Sequence, residues 1–267
     1  MRSDDRLVLT CFAIVLGCGV LMACLVTMGS IGMIGWTGTV LQETSQAYQT
    51  KAVETEQAYQ VDIKEAEMLF DEAKDWEVVF SDSFDTNENG WEDDAFSYDL
   101  VEGEVEVADG KYYWDMEAIE GFIYYDYPEI DVLDDFYVEV EAEQSRGPVN
   151  GQYGLIFLYA SGNYYYYFTI TEDRRFQVYL LRVGKWESII PLTFSEAIQP
   201  GEKNKLAIIA IEEDLYFYIN DAFVQYVGSS LLLRGRVGLL TGLRLEGDTA
   251  EFAFDNFEVR VPPDAGE

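Results

Sequence analysis

Tyr164, Tyr165, Tyr166 and Tyr167 stand in a row inside YYYYFTIT, a segment with the composition of a β-strand. Successive side chains of a strand point to opposite faces. Tyr164 and Tyr166 share a side with Phe168 and Ile170, which marks that side as core. Tyr165 and Tyr167 share the other with Thr169 and Thr171. The segment LYFYIND repeats the pattern, with Leu215, Phe217 and Ile219 inward and Tyr216 and Tyr218 outward. Outward rings can stack on the apolar C–H face of a sugar. Trp114 and Trp186 are further rings of this kind. Asn163 and Asn220, in turns beside these strands, can hydrogen-bond hydroxyl groups. The expected contact set is therefore Tyr165, Tyr167, Tyr216, Tyr218, Trp186, Asn163 and Asn220. The competing reading is that the same rings cover a second packed surface, since tyrosine is favoured in strands for its own sake.

Other chemistries are excluded by composition. The chain has no histidine, which removes Ser-His-Asp and Cys-His catalysis and His-ligated metal sites. It contains no Gly-rich phosphate loop and no G-x-S-x-G elbow. Among its 267 residues, 17 basic side chains face 50 acidic ones, a net charge of −33. A nucleic-acid partner needs an electropositive face, so none is expected. The acidity reads as a solvated face that keeps a domain soluble.

The charge is unevenly spread. Residues 7–36 carry none. Leu7–Met28 is an apolar run of 22 residues, and about 20 span a bilayer core. Arg2 and Arg6 precede it and acidic sequence follows, so the positive-inside rule puts residues 1–6 in the cytoplasm and the bulk outside. The expectation is a retained signal-anchor helix within 7–36, a single pass through the cell membrane, and an extracytoplasmic C-terminal domain. A lipid-modified Cys24 is the alternative, because Leu21-Met22-Ala23-Cys24 resembles a lipobox. Cys11, Cys18 and Cys24 are the only cysteines and all lie in this run, so the exterior has no disulfide framework.

Residues 37–76 predict a helical stalk. From 40 to 76 there is no Pro or Gly. Leu41, Tyr48, Ala52, Tyr59, Ile63, Ala66, Phe70 and Ala73 form one stripe at helical spacing. Its Ala and Tyr content favours weak pairing with itself, with another membrane protein, or with the outer domain over a strong coiled coil.

Beyond Trp76 about a dozen strand-like runs alternate with turn residues, among them Asp109-Gly110, Asn220-Asp221 and Ser161-Gly162-Asn163. This spacing predicts an all-β sandwich or barrel over 77–261, with 262–267 as a disordered tail. The succession FSDSFDTNENGW (80–91), DFYVEVEAEQ (135–144), GQYGLIFLYASGNYYYYFTI (151–170), NKLAIIAIEEDLYFYIND (204–221), GRVGLLTG (235–242) and FAFDNFEV (252–259) resembles the concanavalin A-like lectin/glucanase superfamily, close to the laminin-G-like and 3-keto-disaccharide-hydrolase-type domains of bacterial surface proteins. The resemblance implies a two-sheet antiparallel jelly roll. It leaves function open, because that fold hosts lectins, glycan hydrolases and adhesion modules.

Two further sites follow from the resemblance. Glu129-Ile130-Asp131-Val132-Leu133-Asp134 is similar to the Glu-x-Asp-x-x-Glu motif of jelly-roll glucanases, whose carboxylates act as nucleophile and acid/base. Here Asp134 replaces the last Glu, and Glu129, Asp131 and Asp134 read better as an acidic loop. Asp82 and Asp255-Asn256 would meet if the terminal strands pair, which would suit a structural Ca²⁺. The function expected is thus non-covalent recognition of a glycan or a cell-surface protein, more so than catalysis. The alternatives are a glycan hydrolase using Glu129 and Asp131, and a scaffold subunit assembled through the stalk, with weak homo-oligomers possible there.

Overall fold

A computed structural model describes residues 63–228 and 230–263. The expected membrane segment, the stalk up to residue 62 and the tail from 264 lie outside the described residues. So do the oligomerisation and localisation that depend on them. Among the described residues no helix is long and apolar enough to cross a membrane.

Fifteen strands, β1 to β15 in chain order, form two antiparallel sheets. The nine-stranded sheet runs β13 (Ala222–Val227), β12 (Asp214–Ile219), β11 (Asn204–Ile211), β6 (Phe136–Arg146), β15 (Thr249–Val261), β4 (Lys111–Ala118), β3 (Val101–Ala108) and β2 (Ala95–Ser97), with β1 (Glu77–Asp82) also paired to β15. The six-stranded sheet runs β10 (Lys185–Phe194), β9 (Arg175–Arg182), β8 (Tyr164–Thr171), β7 (Gln152–Ser161), β14 (Arg236–Leu243) and β5 (Phe122–Asp126). The expected all-β two-sheet sandwich is what the chain forms.

The turns follow from local chemistry. Asp109 and Gly110 take φ of 50° and 74° between β3 and β4, the left-handed pair that a two-residue hairpin demands. Asn220 and Asp221 do the same between β12 and β13, at 51° and 65°. Alternation then sorts the side chains. Val138 and Val140 of β6, Phe168 and Ile170 of β8, Phe217 of β12 and Phe252 and Phe254 of β15 meet in one core between the sheets. Strands with such alternation bury one face and leave the other to be covered, charged or used.

The outer face of the nine-stranded sheet is partly covered. A helix, α1 (63–73), lies on it. Its stripe is the expected one: Ala66, Phe70 and Ala73 are buried, and Phe70, Ala73 and Trp76 pack on Tyr137, Ala207, Ile209 and Tyr218. Phe70 stacks on Tyr218 with centroids 4.4 Å apart, and the Tyr218 hydroxyl donates to the Ala66 carbonyl at 2.7 Å. Arg260 Nη1 ties the end of the helix down, donating to the carbonyls of Lys74 at 2.5 Å and Trp76 at 3.1 Å. The stripe at this end of the stalk therefore serves a sheet.

So short a helix is not stable alone in water. Phe70→Ala should cost about 3 kcal/mol of docking. By hydrogen exchange the amides of 67–73 should lose protection while those of β6 and β15 keep theirs. Equal loss across the sandwich would show that α1 is integral to the global fold.

Candidate functional site

The outer face of the six-stranded sheet has no layer packed on it among the described residues, yet much of it is closely packed. Tyr165 and Tyr167 point outward from β8, as their alternation predicts, but are only 4% and 5% exposed. Ile156 of β7 and Leu240 of β14 join them in a floor, and Ile123, Tyr125, Tyr159 and Tyr179 form its half-buried rim. Burial pushes the phenols of Tyr165 and Tyr167 well up. The Tyr159 phenol is pushed up to about 12, first by burial and then by its neighbour Tyr125.

The rings form a continuous row across the sheet. Tyr125 of β5 lies 5.6 Å from Tyr165, and Tyr159 of β7 lies 5.8 Å from it, centroid to centroid. Trp186 of β10 meets Tyr165 and Tyr167 edge-to-face at 5.9 and 5.7 Å. Tyr167 stacks on Tyr179 of β9 at 5.6 Å. Trp186 itself is 48% exposed. It is therefore the member of the expected contact set whose ring remains open to solvent.

A polar group lies beyond the row on the same face. Thr169, Gln177 and Gln152 are all buried. The Gln177 amide donates to Gln152 Oε1 and, at 3.3 Å, to Thr169 Oγ1, while its oxygen accepts from Arg244 Nη2 at 3.5 Å. Gly242 of β14, an outward position beside Gln152, adds no side chain there. At the opposite end a cleft of about 500 Å³ is lined by Tyr127, Tyr159 and Arg236 among others. These polar and rim residues carry no single-segment signal. They come together only through register, with Gly242 opposite Gln152 and Thr169 opposite Gln177.

The rest of the expected set lies elsewhere. Tyr216 and Tyr218 belong to β12, on the outer face of the other sheet. Tyr218 is 1% exposed beneath Phe70, so it offers no ring to a ligand. Tyr216 packs against the same helix-bound cluster and lies 5.1 Å from Tyr226. Asn220 holds its own hairpin: its oxygen accepts from the Lys205 amide at 2.8 Å and its nitrogen donates to the Ala197 carbonyl at 2.7 Å. Asn163 sits in the β7–β8 turn, where its carbonyl accepts from the Val183 amide at 3.0 Å. Trp114 is fully buried in the core. The expected single platform is thus divided between two faces, and only Tyr165, Tyr167 and Trp186 adjoin one another.

Glu129, Asp131 and Asp134 are exposed in the segment between β5 and β6, outside any strand. Asp134 pairs with Arg234 at 3.2 Å. Strand alternation therefore does not hold them on one face, as the glucanase motif requires. The calcium residues also have other partners. The terminal strands do pair, with Asp82 opposite Phe257. However, the Asp82 carboxylate accepts from the Phe84 amide, Asn89 Nδ2 and Trp91 Nε1, each at 2.7 Å. Asp255 meets Lys203 at 3.4 Å, and Asn256 donates to Glu141 at 2.6 Å. Among the described residues no three acidic, Cys or His side chains converge to hold a metal. With their polar atoms engaged in this way, Asp82, Asp255 and Asn256 do not converge as a Ca²⁺ ligand set.

One carboxylate stands apart. Asp126, at the end of β5, accepts from the Tyr112 hydroxyl at 2.9 Å and the amides of Tyr127 and Glu92 at 2.8 and 3.1 Å. Glu92 accepts in turn from Tyr124 at 2.6 Å. Burial outweighs those hydrogen bonds and holds Asp126 above the usual carboxylate range.

No family model matches the sequence, and no curated protein matches it. Solved structures do match. One is a GlcNAcα1-4Gal-releasing endo-β-galactosidase from Clostridium perfringens, at 10% identity and TM-score 0.52, covering 72% of this chain and 64% of that chain. Others are carbohydrate binding module CBM66 from Bacillus subtilis (16%, TM-score 0.45, covering 66% of this chain and 98% of that chain) and the catalytic domain of a laminarinase from Thermotoga petrophila (10%, TM-score 0.49, covering 71% and 99%). At such identities the likeness concerns the fold alone. The domain is a concanavalin A-like jelly-roll sandwich, as the sequence resemblance implies.

A carboxyl raised by folding binds its proton more tightly in the folded state, so its contribution to stability grows as pH falls. Stability should therefore rise as pH drops from 7 toward the carboxylate range, and Asp126→Asn should flatten that rise in thermal melts. An unchanged slope in the variant would remove Asp126 as its source.

Proposed function

We propose that the outer face of the six-stranded sheet recognises a glycan without cleaving it, on a domain held outside the cell membrane by the apolar N-terminal segment. The observation that carries this reading is the ring row from Tyr125 to Trp186, with the buried Gln177–Gln152–Thr169 group fixing the exposed Arg244 at one end. Sugar sites need both parts: apolar faces for the C–H side of the rings and fixed polar groups for hydroxyls. The solved structures of similar fold include a carbohydrate binding module and glycan hydrolases, which agrees with this class of ligand. Tyr165 and Tyr167 act as the floor that holds Trp186 and Tyr179 in place. Trp186 is the ring that stacks.

The test is a glycan array followed by calorimetry on the full chain in detergent micelles. Trp186→Ala should weaken binding at least tenfold, a loss typical of an anchor ring. Because Trp186 is half exposed, the melting temperature should move little. Tyr218→Phe should leave binding unchanged. Equal binding by Trp186→Ala and the parent chain would reject this face as the site.

A further inference from the structure

The two sheets divide the charge of the chain unequally. On the nine-stranded sheet, outward positions are acidic in strand after strand, with Glu102, Glu104 and Glu106 on β3 and Glu139, Glu141 and Glu143 on β6. The six strands of the other sheet contain only two carboxylates, Asp126 and Glu187. Neither points to the outer face. Asp126 alternates with the core residues Phe122 and Tyr124, and Glu187 lies opposite the core residue Leu180. In a chain with 50 acidic residues, one whole sheet face is free of them.

That face carries arginine instead. Arg236 begins β14 and Arg244 immediately follows its end. Neither forms an ion pair among the described residues, in a protein of net charge −33. Eight residue steps separate them, roughly 26 Å at a strand's rise. Arg236 lies 5.3 Å over the Tyr127 ring, at the cleft end of the ring row. Arg244 donates to Gln177 at the polar end. The two cations therefore bracket the surface proposed above.

We infer that the glycan taken by this face is anionic, bearing carboxylate or sulfate groups along its chain. The inference rests on the recognition reading and names its ligand class. Guanidinium groups bind carboxylate and sulfate through charge-assisted, often bidentate hydrogen bonds. Carboxylates are good acceptors for neutral sugar hydroxyls, and this chain places none of its many here. Their absence makes physical sense for a negative ligand, because a like charge placed against it would repel it. The acidic remainder of the molecule then discourages such a chain from lying anywhere else.

The probes are a galacturonate oligomer, its fully methyl-esterified and hence neutral form, and a heparin oligosaccharide of similar length. Each is titrated into the full chain in micelles. The acid form or the heparin oligosaccharide should bind at least tenfold more tightly than the ester. Arg236→Gln with Arg244→Gln should erase most of that difference while thermal melts stay unchanged. Binding of heparin alone assigns the anion to sulfate, and of galacturonate alone to carboxylate. If neutral glycans bind as well as charged ones, lose affinity in Trp186→Ala and ignore the arginine changes, the anionic assignment fails and the recognition reading stands. If a folded chain binds neither charged nor neutral glycans, both fall.

Discussion

The last strand to be made lies in the middle of the larger sheet. β15 pairs with β6 along one edge, and along the other with β4 through Thr249–Phe254 and then with β1 through Phe257–Val261. A break in register with β6 between Asp255 and Glu258, with Asn256 at φ 49°, falls where the other edge passes from β4 to β1. β1, β4 and β6 are all more than a hundred residues earlier in the chain. The nine-stranded sheet thus stays open at its centre until β15 is in place, and pairings of such sequence separation are slow to form. With no cysteine beyond residue 24, core packing, this ladder and surface ion pairs such as Lys111–Glu143 and Arg146–Asp115 hold the halves together.

Completing that sheet creates two outward faces with different fates. One is acidic and takes α1 over its β11–β12 side. The other is nearly free of acid, rich in tyrosine, and uncovered among the described residues. The polar groups singled out for a metal are used up inside the first. Asp82 orders the 83–91 loop through the amide of Phe84 and the side chains of Asn89 and Trp91, and Asp255, Glu141 and Lys203 neutralise one another. These are the ordinary needs of a charged surface and a buried loop. On the second face, Arg236 and Arg244 have no carboxylate partner among the described residues.

Much of this was legible in the sequence. Period-two alternation identified the inward and outward sides of β8 and β12, and turn residues placed their hairpins. Alternation does not say what lies on an outward side. Tyr165 and Tyr218 have the same local pattern, yet one floors an open face and the other lies under a helix contributed from about 150 residues earlier. Nor does it survive a bulge. Phe157 and Leu158 both enter the core, with Leu158 at φ 48°, and the step between them turns Tyr159 outward. Strict alternation would have buried Tyr159, and no residue type announces the change. Gln152, Gln177 and Arg244 are mid-strand or strand-end polar residues that read as ordinary surface until the register brings them together. The carboxylates of 129–134 were the reverse case, a motif in letters without the strand that gives it geometry.

The docking of α1 also has a mechanical side. A pull on the chain ahead of residue 63, resisted by a hold on the six-stranded sheet, enters the sandwich through this helix. It loads the Phe70–Tyr218 stack and the two Arg260 hydrogen bonds before it reaches β1. Those contacts are few and side-chain in kind, whereas β1 is held by a backbone ladder to β15. The helix would peel first, lengthening the connection as its coils extend from about 1.5 to about 3.4 Å per residue. The domain would stay folded meanwhile. α1 thus acts as an extensible link in series with the sandwich, absorbing strain on the side of the molecule away from the six-stranded sheet.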